Sequence, residues 1–481
     1  MTLAATPTPA VGPSSAQAAP SPARAPGRTL TFLALAVATA SSSMPQGLVP
    51  PVLPTIQHDL HTTQPAVSWV LIAWLLSASV ATPILGRVSD MTGKKRTLIA
   101  VLGAIIAGSL LSAMAPNITI LIIARAIQGF GGAVFPIAFG IIRDEFPQRR
   151  VPSALGLMSS VIAVGGALGI VLAGPIVDGP GWRWLFWIPM ILVALAAVAC
   201  HRLVPESPAR SGGRISWINA GLLVTWLLAL LLAVSQGQHW GWGSATTTTL
   251  FALAVTTGTG WVIGETRSAN PVIDMTMMRL PAVWTTNLIA LLFGAAMFAT
   301  LTFLPQLIQT PAGAGYGFGA SVTRAGLLIL PMLVTMAASG MMSGPIHPLV
   351  GFKPQVALGS ALLAAASAGF ALWSHAEWQI GLVGAVFGLG LGFAYAATTS
   401  LIVGSVIPAQ TGAAAGMNTN IRNIGGAIGT AVLTAIVTSH LQTGGLPAAD
   451  SYRDGFLVLA AMAGSGVLIS LLVPTRNTPA T

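Results

Sequence analysis

The sequence predicts an all-α integral membrane protein of fourteen transmembrane helices, arranged as two six-helix repeats with two helices inserted between them. Three observations carry this. Of the 481 residues, 54% are hydrophobic and only 7% are charged, against roughly 25% charged in a soluble domain, so lipid must solvate most of the exterior. Apolar runs recur along the whole chain, broken by short polar loops, the pattern of a polytopic helical bundle whose backbone groups are satisfied internally. A glycine-rich segment also recurs 260 residues further along, as expected of internally repeated halves.

The elements follow in order. Residues 1–28 are rich in Ala, Pro and Ser, bury too little apolar surface to fold, and are expected to form a disordered cytoplasmic tail. The run after Arg28 is too long for a signal-peptide core and further spans follow it, so it reads as a retained first helix. Spans at 30–50, 67–86, 97–115, 118–141, 153–175 and 184–204 make a first bundle over 29–204. Spans at 215–235 and 245–264 fall within 205–282 and read as the inserted pair. Spans at 283–305, 323–346, 355–373, 378–403, 413–439 and 455–473 make a second bundle over 283–473, leaving 474–481 as a cytoplasmic tail. Glycine and proline within spans are tolerated in lipid, because neighbouring helices satisfy the freed groups and small residues allow close packing.

The repeat is specific. Ala154–Gly169 and Ala414–Gly429 agree at six of sixteen positions, including Gly156 with Gly416 and Gly165, Gly166 and Gly169 with Gly425, Gly426 and Gly429. At nearly the same shift, Gly86 and Gly93 bracket a short segment, and so do Gly344 and Gly351.

Charge sets the orientation. Placing the N-terminus inside puts sixteen of the 21 basic residues on the cytoplasmic side, among them Arg87, Lys94, Lys95, Arg96, Arg143, Arg149 and Arg150. Both termini are then cytoplasmic, in the cell membrane, and the net charge of +10 needs no nucleic-acid partner. The single cysteine, Cys200, sits in an apolar run and reads as a small buried hydrophobe. No metal-spaced His/Cys cluster, Walker loop or nucleophile elbow occurs, so neither an enzyme nor a metal or other cofactor is expected. His58 and His61 fall in an external loop and read as solvated.

Three segments carry mechanism. Gly86–Arg96 sets two glycines seven apart and places Asp90 among basic residues, which a positive-inside anchor alone would not require. Helix 4 carries Arg125, Gln128 and Gly129. An arginine at membrane depth is costly and is paired or faces a polar cavity, and the plain alternative is a bond to backbone carbonyls of helix 1. Helix 5 carries Gly165, Gly169 and Gly174-Pro175, a small-residue face that permits close packing or a seam that slides between states.

These segments resemble the major facilitator superfamily. Gly86–Arg96 looks like its signature loop. Leu121–Ala133 resembles the helix-4 arginine motif of its proton-coupled members, and Gly165–Gly174 the helix-5 antiporter motif of its drug exporters. Trp182–Phe186 with Pro189, and Val52–Ile56, are similar to the start of helix 6 and the end of helix 1 in the fourteen-helix drug:proton antiporters. The resemblance implies the major facilitator fold, a small-molecule substrate, proton coupling, and drug or antibiotic efflux. An uptake carrier of the same fold is the alternative. There are departures: Gly169-Ile170 stands where the helix-5 motif has Gly-Pro, Ala173-Gly174 where it has Gly-Gly, and Pro45 where helix 1 usually carries an aspartate.

None of the eleven acids falls clearly inside an expected span, so proton coupling rests on Asp90, Asp144, Glu145 and Asp178, with Arg125 able to tune a carboxylate or hold an anion. A latch is expected on the cytoplasmic side, where Asp90, tied to Lys95 and Asp144, meets the N-terminus of helix 13 near Thr411-Gly412. Pocket candidates are Ser43 and Gln46 in helix 1, Arg125 and Gln128 in helix 4, Asn287 in helix 9, Tyr395 in helix 12, and Asn418 and Arg422 in helix 13.

Overall fold

A computed structural model describes residues 27–207, 216–268, 271–439 and 446–474. The expected tails lie almost wholly outside these residues. Fourteen long helices occur among the described residues. They are α1 (Arg28–Leu48), α2 (Gln64–Thr92), α3 (Lys94–Ala113), α4 (Ile118–Glu145), α5 (Val151–Asp178), α6 (Trp184–Leu203) and α7 (Trp217–Trp240). Then come α8 (Ala245–Arg267), α9 (Pro281–Gln309), α10 (Val322–Val350), α11 (Phe352–Leu372), α12 (Glu377–Ser405), α13 (Thr411–Val437) and α14 (Ala449–Ser470). Side-chain oxygens of Thr63, Asn117, Ser216, Ser244 and Ser321 cap α2, α4, α7, α8 and α10, accepting from otherwise orphaned first-turn N–H groups. In α4 a 3-10 turn, Phe130–Ala133, joins two helical stretches at the Gly-Phe-Gly-Gly run.

Twelve of these helices are long and apolar enough to cross a membrane by length and composition. The two that fall short are α8, which is threonine-rich, and α13, which carries Asn418, Asn420, Arg422 and Asn423. Both are of spanning length; their polar residues lower the mean hydropathy. Apolar side chains face outward, as a lipid-solvated surface requires: Leu195 is 62% and Val255 68% exposed.

The helices stop later than the apolar runs do. The span expected to end at residue 86 continues as helix to Thr92, so Gly86–Thr92 is not a loop. The link to α3 is Gly93 alone, at φ 120°. The matched link, between α10 and α11, is Gly351 alone, at φ 76°. An apolar run marks where lipid begins and ends, whereas a helix ends where its backbone bonding is broken, here by a left-handed glycine. Asp90, expected in a loop, is therefore inside a helix.

Packing repeats with a shift of eight helices. α1 packs on α5 and α6, α2 on α4, and α3 on α4 and α6. Likewise α9 packs on α13 and α14, α10 on α12, and α11 on α12 and α14. The two sets meet where α2 crosses α13 and where α5 crosses α10, contacts that the same shift exchanges. The α7–α8 pair packs outside this pattern, with α7 against α2 and α13.

At both turn glycines a side chain costs about 1–2 kcal/mol in backbone strain. At Gly93 an added Cβ would also lie 2.6 Å from the Glu206 carboxylate, whereas at Gly351 it meets only Pro354 at 4.0 Å. Gly93→Ala should therefore lower the thermal unfolding midpoint of purified protein more than Gly351→Ala does.

Candidate functional site: a clasp on the basic face and a cavity between the halves

At the ends of α2, α3 and α4, where the basic residues cluster, buried charges are laced together. The Asp90 carboxylate accepts from the N–H groups of Gly412 (3.3 Å) and Ala413 (3.1 Å) in the first turn of α13. A helix N-terminus leaves these N–H groups unsatisfied and attracts negative charge. Asp90 reaches them because α2 and α13 touch backbone to backbone: an added Cβ at Gly86 would lie 2.5 Å from the Gly412 carbonyl, and one at Gly412 would lie 2.6 Å from that of Gly86. Lys94 stands between two carboxylates, its Nζ 2.6 Å from Asp144 and 3.9 Å from Asp90. Ser207 donates to the same Asp144 oxygen. The side chains of Lys94 and Asp90 are 0% exposed and that of Asp144 3%, so each charge depends on its partners.

Asp90, Asp144 and the start of α13 thus come together, but with a different cation from the one expected. Lys94, not Lys95, is the cation. Lys95 follows by one helical step, which turns its side chain about 100° away, and its backbone N–H instead donates to Glu206 (3.1 Å). Gly93 supplies the turn that brings Lys94 under Asp90. A further clasp residue, Arg143, was legible only as one of the basic residues on this face. Its Nη1 donates to Thr411 (2.8 Å) and its Nη2 to the carbonyl of Val406 at the end of α12.

Other candidates separate. Glu145 is half-buried at the end of α4, while Asp178 is exposed at the far end of α5, away from the clasp. Arg125 is 1% exposed and bonded within its own half. Its Nε donates to the Val70 carbonyl of α2, not of helix 1, and its Nη1 to Gln128, whose amide donates to Ser109. Asn418 donates to Asn287 at 2.9 Å, tying α13 to α9. None of Arg125, Gln128, Asn287 and Asn418 lines the cavity: each is turned onto a neighbouring helix, where in lipid its polar group finds a partner. The α5 glycines also divide. Added Cβ atoms at Gly165 and Gly169 would strike α1 within the same half, while one at Gly174 would meet Thr323 of α10 at 2.5 Å. The seam with α10 runs instead through Ser153, Gly156 and Ser160, facing Gly340 and Gly344. Pro175, beside it in the helix, is exposed.

Between the two sets of helices lies a cavity of about 610 Å³. Ser43, Gln46, Tyr395 and Arg422 line it, as expected, together with apolar side chains such as Met297, Phe298, Ile329, Met332 and Leu391. Its lining runs from mid-helix to the ends of α1 and α9 at Pro50, Gln309 and Thr310, the ends opposite the basic face. On the basic side the clasp closes it. A cavity of this size, mostly apolar with a few polar groups, suits a small organic molecule.

Two matched helical bundles around a membrane-depth cavity, sealed at one face, define a multi-pass membrane transporter architecture. The sequence pattern of the Major Facilitator Superfamily matches residues 35–430, and the chain belongs to that family. It is 28% identical over 422 residues to the multidrug transporter protein MdtP of Bacillus subtilis, covering 86% of this chain and 76% of that one. It is 25% identical to the tetracenomycin C resistance and export protein of Streptomyces glaucescens, over 85% of this chain and 76% of that one. With the methylenomycin A resistance protein of Streptomyces coelicolor it shares 26% identity over 80% of each chain. The solved structure of the human organic anion transporter MFSD10 superposes with a TM-score of 0.65 over 93% of this chain and 98% of that one; at 16% identity this likeness shows the fold alone.

Removing Lys94 would leave Asp90 and Asp144 buried without their cation, a loss of about 3–5 kcal/mol. Lys94→Met should therefore lower the thermal unfolding midpoint in detergent by several degrees. Lys95→Met, whose side chain is outside the network, should leave it nearly unchanged. Equal effects would assign the cation wrongly.

Proposed function

We propose that this chain exports small amphipathic molecules, drugs or antibiotics, across the cell membrane by proton antiport through alternating access. The observation that carries the reading is the cavity between the two helix sets, closed on the basic face by contacts that cross from one set to the other. Its relatives named for multidrug transport and antibiotic resistance support export over uptake. The same proposal divides the chain into bundles over 29–204 and 283–473 with an inserted pair over 205–282, in keeping with the matched helix contacts. The basic face is cytoplasmic, both termini included, by the positive-inside rule. The structure then corresponds to the outward-facing state.

Asp90 is the proton-sensitive element of this scheme. Its negative charge attracts both Lys94 and the N-terminus of α13, the latter worth about 0.3–1 kcal/mol and up to ~2 kcal/mol when partly buried. Protonation removes both attractions and frees the basic faces of the two bundles to part. No carboxylate is found among the described residues lining the cavity, so substrate and proton act at separate places and are coupled through the rocking of the bundles.

Everted membrane vesicles containing the protein test this directly. They should accumulate an exported dye when an outward-directed proton gradient, acidic inside the vesicle, is imposed, and lose it on adding a protonophore. Accumulation indifferent to the protonophore would exclude antiport, and accumulation only in right-side-out vesicles would favour an uptake carrier. Asp90→Asn, expressed at the normal level, should slow dye accumulation severalfold; an unchanged rate would remove Asp90 from the mechanism.

A further inference from the structure

Three arginines are buried or half-buried among the helices, and they meet different fates. Arg125 donates to Val70 and Gln128, and Arg143 to Thr411 and Val406. Arg422 is only 5% exposed, yet its side chain makes no hydrogen bond or ion pair among the described residues. The guanidinium instead lies over the Tyr395 ring, 4.3 Å from its centroid. It lines the cavity, and among the described lining residues it is the only charged one. A guanidinium has five donors, cannot shed its charge, and is costly at membrane depth unless something accepts from it.

The surroundings are shaped around this side chain. Gly294 of α9 makes room for its stem: a Cβ there would lie 2.9 Å from Arg422 Cγ. Tyr395 is held in turn by Phe293, ring centroids 6.0 Å apart. The repeat places Ile162 of α5 at the matching position, so the helix packing itself does not call for a charge. Stacking on Tyr395 covers one guanidinium face and leaves its N–H edge for an anionic group that presents two oxygens side by side.

We propose that the cavity binds amphipathic organic anions, whose carboxylate or sulfonate pairs with Arg422 while the apolar body fills the surface formed by Met297, Phe298, Met332 and Leu391. A cationic ligand would bring a second positive charge into the same weakly screened space and leave Arg422 unpartnered. The inference rests on reading this cavity as the substrate site, and it narrows the substrate class.

Fluorescein and rhodamine 6G, an anion and a cation on one xanthene core, provide the test. Their binding to the purified full chain in phosphatidylcholine nanodiscs is followed by fluorescence polarisation. Wild type should bind fluorescein more tightly than rhodamine 6G. Arg422→Gln should weaken fluorescein by about 10- to 100-fold, the range expected for loss of a charge-assisted hydrogen bond. Arg422→Lys, which keeps the charge, should retain part of the affinity, and an unchanged unfolding midpoint guards against a folding defect. No fluorescein binding to wild type, a preference for rhodamine 6G, or equal binding by Arg422→Gln would overturn the proposal. Vesicle accumulation separates it from the export reading. Arg422-dependent binding without transport would leave the anion site standing and sink export. Rhodamine 6G export without fluorescein binding would do the reverse.

Discussion

The arrangement depends on how closely backbones approach where the two helix sets cross. In lipid, apolar side chains gain little by leaving the solvent, so helix association relies on contact depth and internal polar bonds. At the α2–α13 crossing, Gly86 and Gly412 present bare backbone to one another. At the α5–α10 crossing, Gly344 does the same against Ser153, and Gly156 against Gly340. Any larger residue would push the helices apart. Only at this separation does the Asp90 carboxylate reach the N–H groups of Gly412 and Ala413.

The two crossings are alike in shape and different in charge. Gly344 and Gly351 repeat the spacing of Gly86 and Gly93, but Pro348 stands where Asp90 stands. The α2–α13 crossing therefore holds a buried carboxylate at a position where the α5–α10 crossing has a proline. That asymmetry in charge is laid over a near-symmetric scaffold.

Much of this was legible in the sequence. Lipid solvation follows from the shortage of charge, the helix count from the apolar runs, and the paired halves from the glycine pattern at Gly156 and Gly165–Gly169. Asp90 against the start of α13 was legible as well, because an unpartnered acid and a helix N-terminus on the same membrane face attract each other. What failed was azimuth. The sequence points to Lys95 where Lys94 sits, since one residue is a third of a turn and nothing in the composition fixes the phase across a left-handed glycine. Asn418 and Arg422 are a turn apart, yet one bonds Asn287 and the other faces the cavity. Arg143 carried no signal beyond its charge. Gly165 and Gly169 show the helix-5 motif, but not that their face meets α1 rather than α10.

The sequence by itself determined the solvent, the number of long helices and the repeat, because each is written in local properties: hydropathy, scarcity of charge and periodic glycine. Only the tertiary structure decided which buried polar groups satisfy one another and which is left facing the cavity. Those outcomes turn on the rotation of each helix and the distance between its axis and the next, and both are set by contacts between residues hundreds of positions apart, as between Asp90 and Gly412.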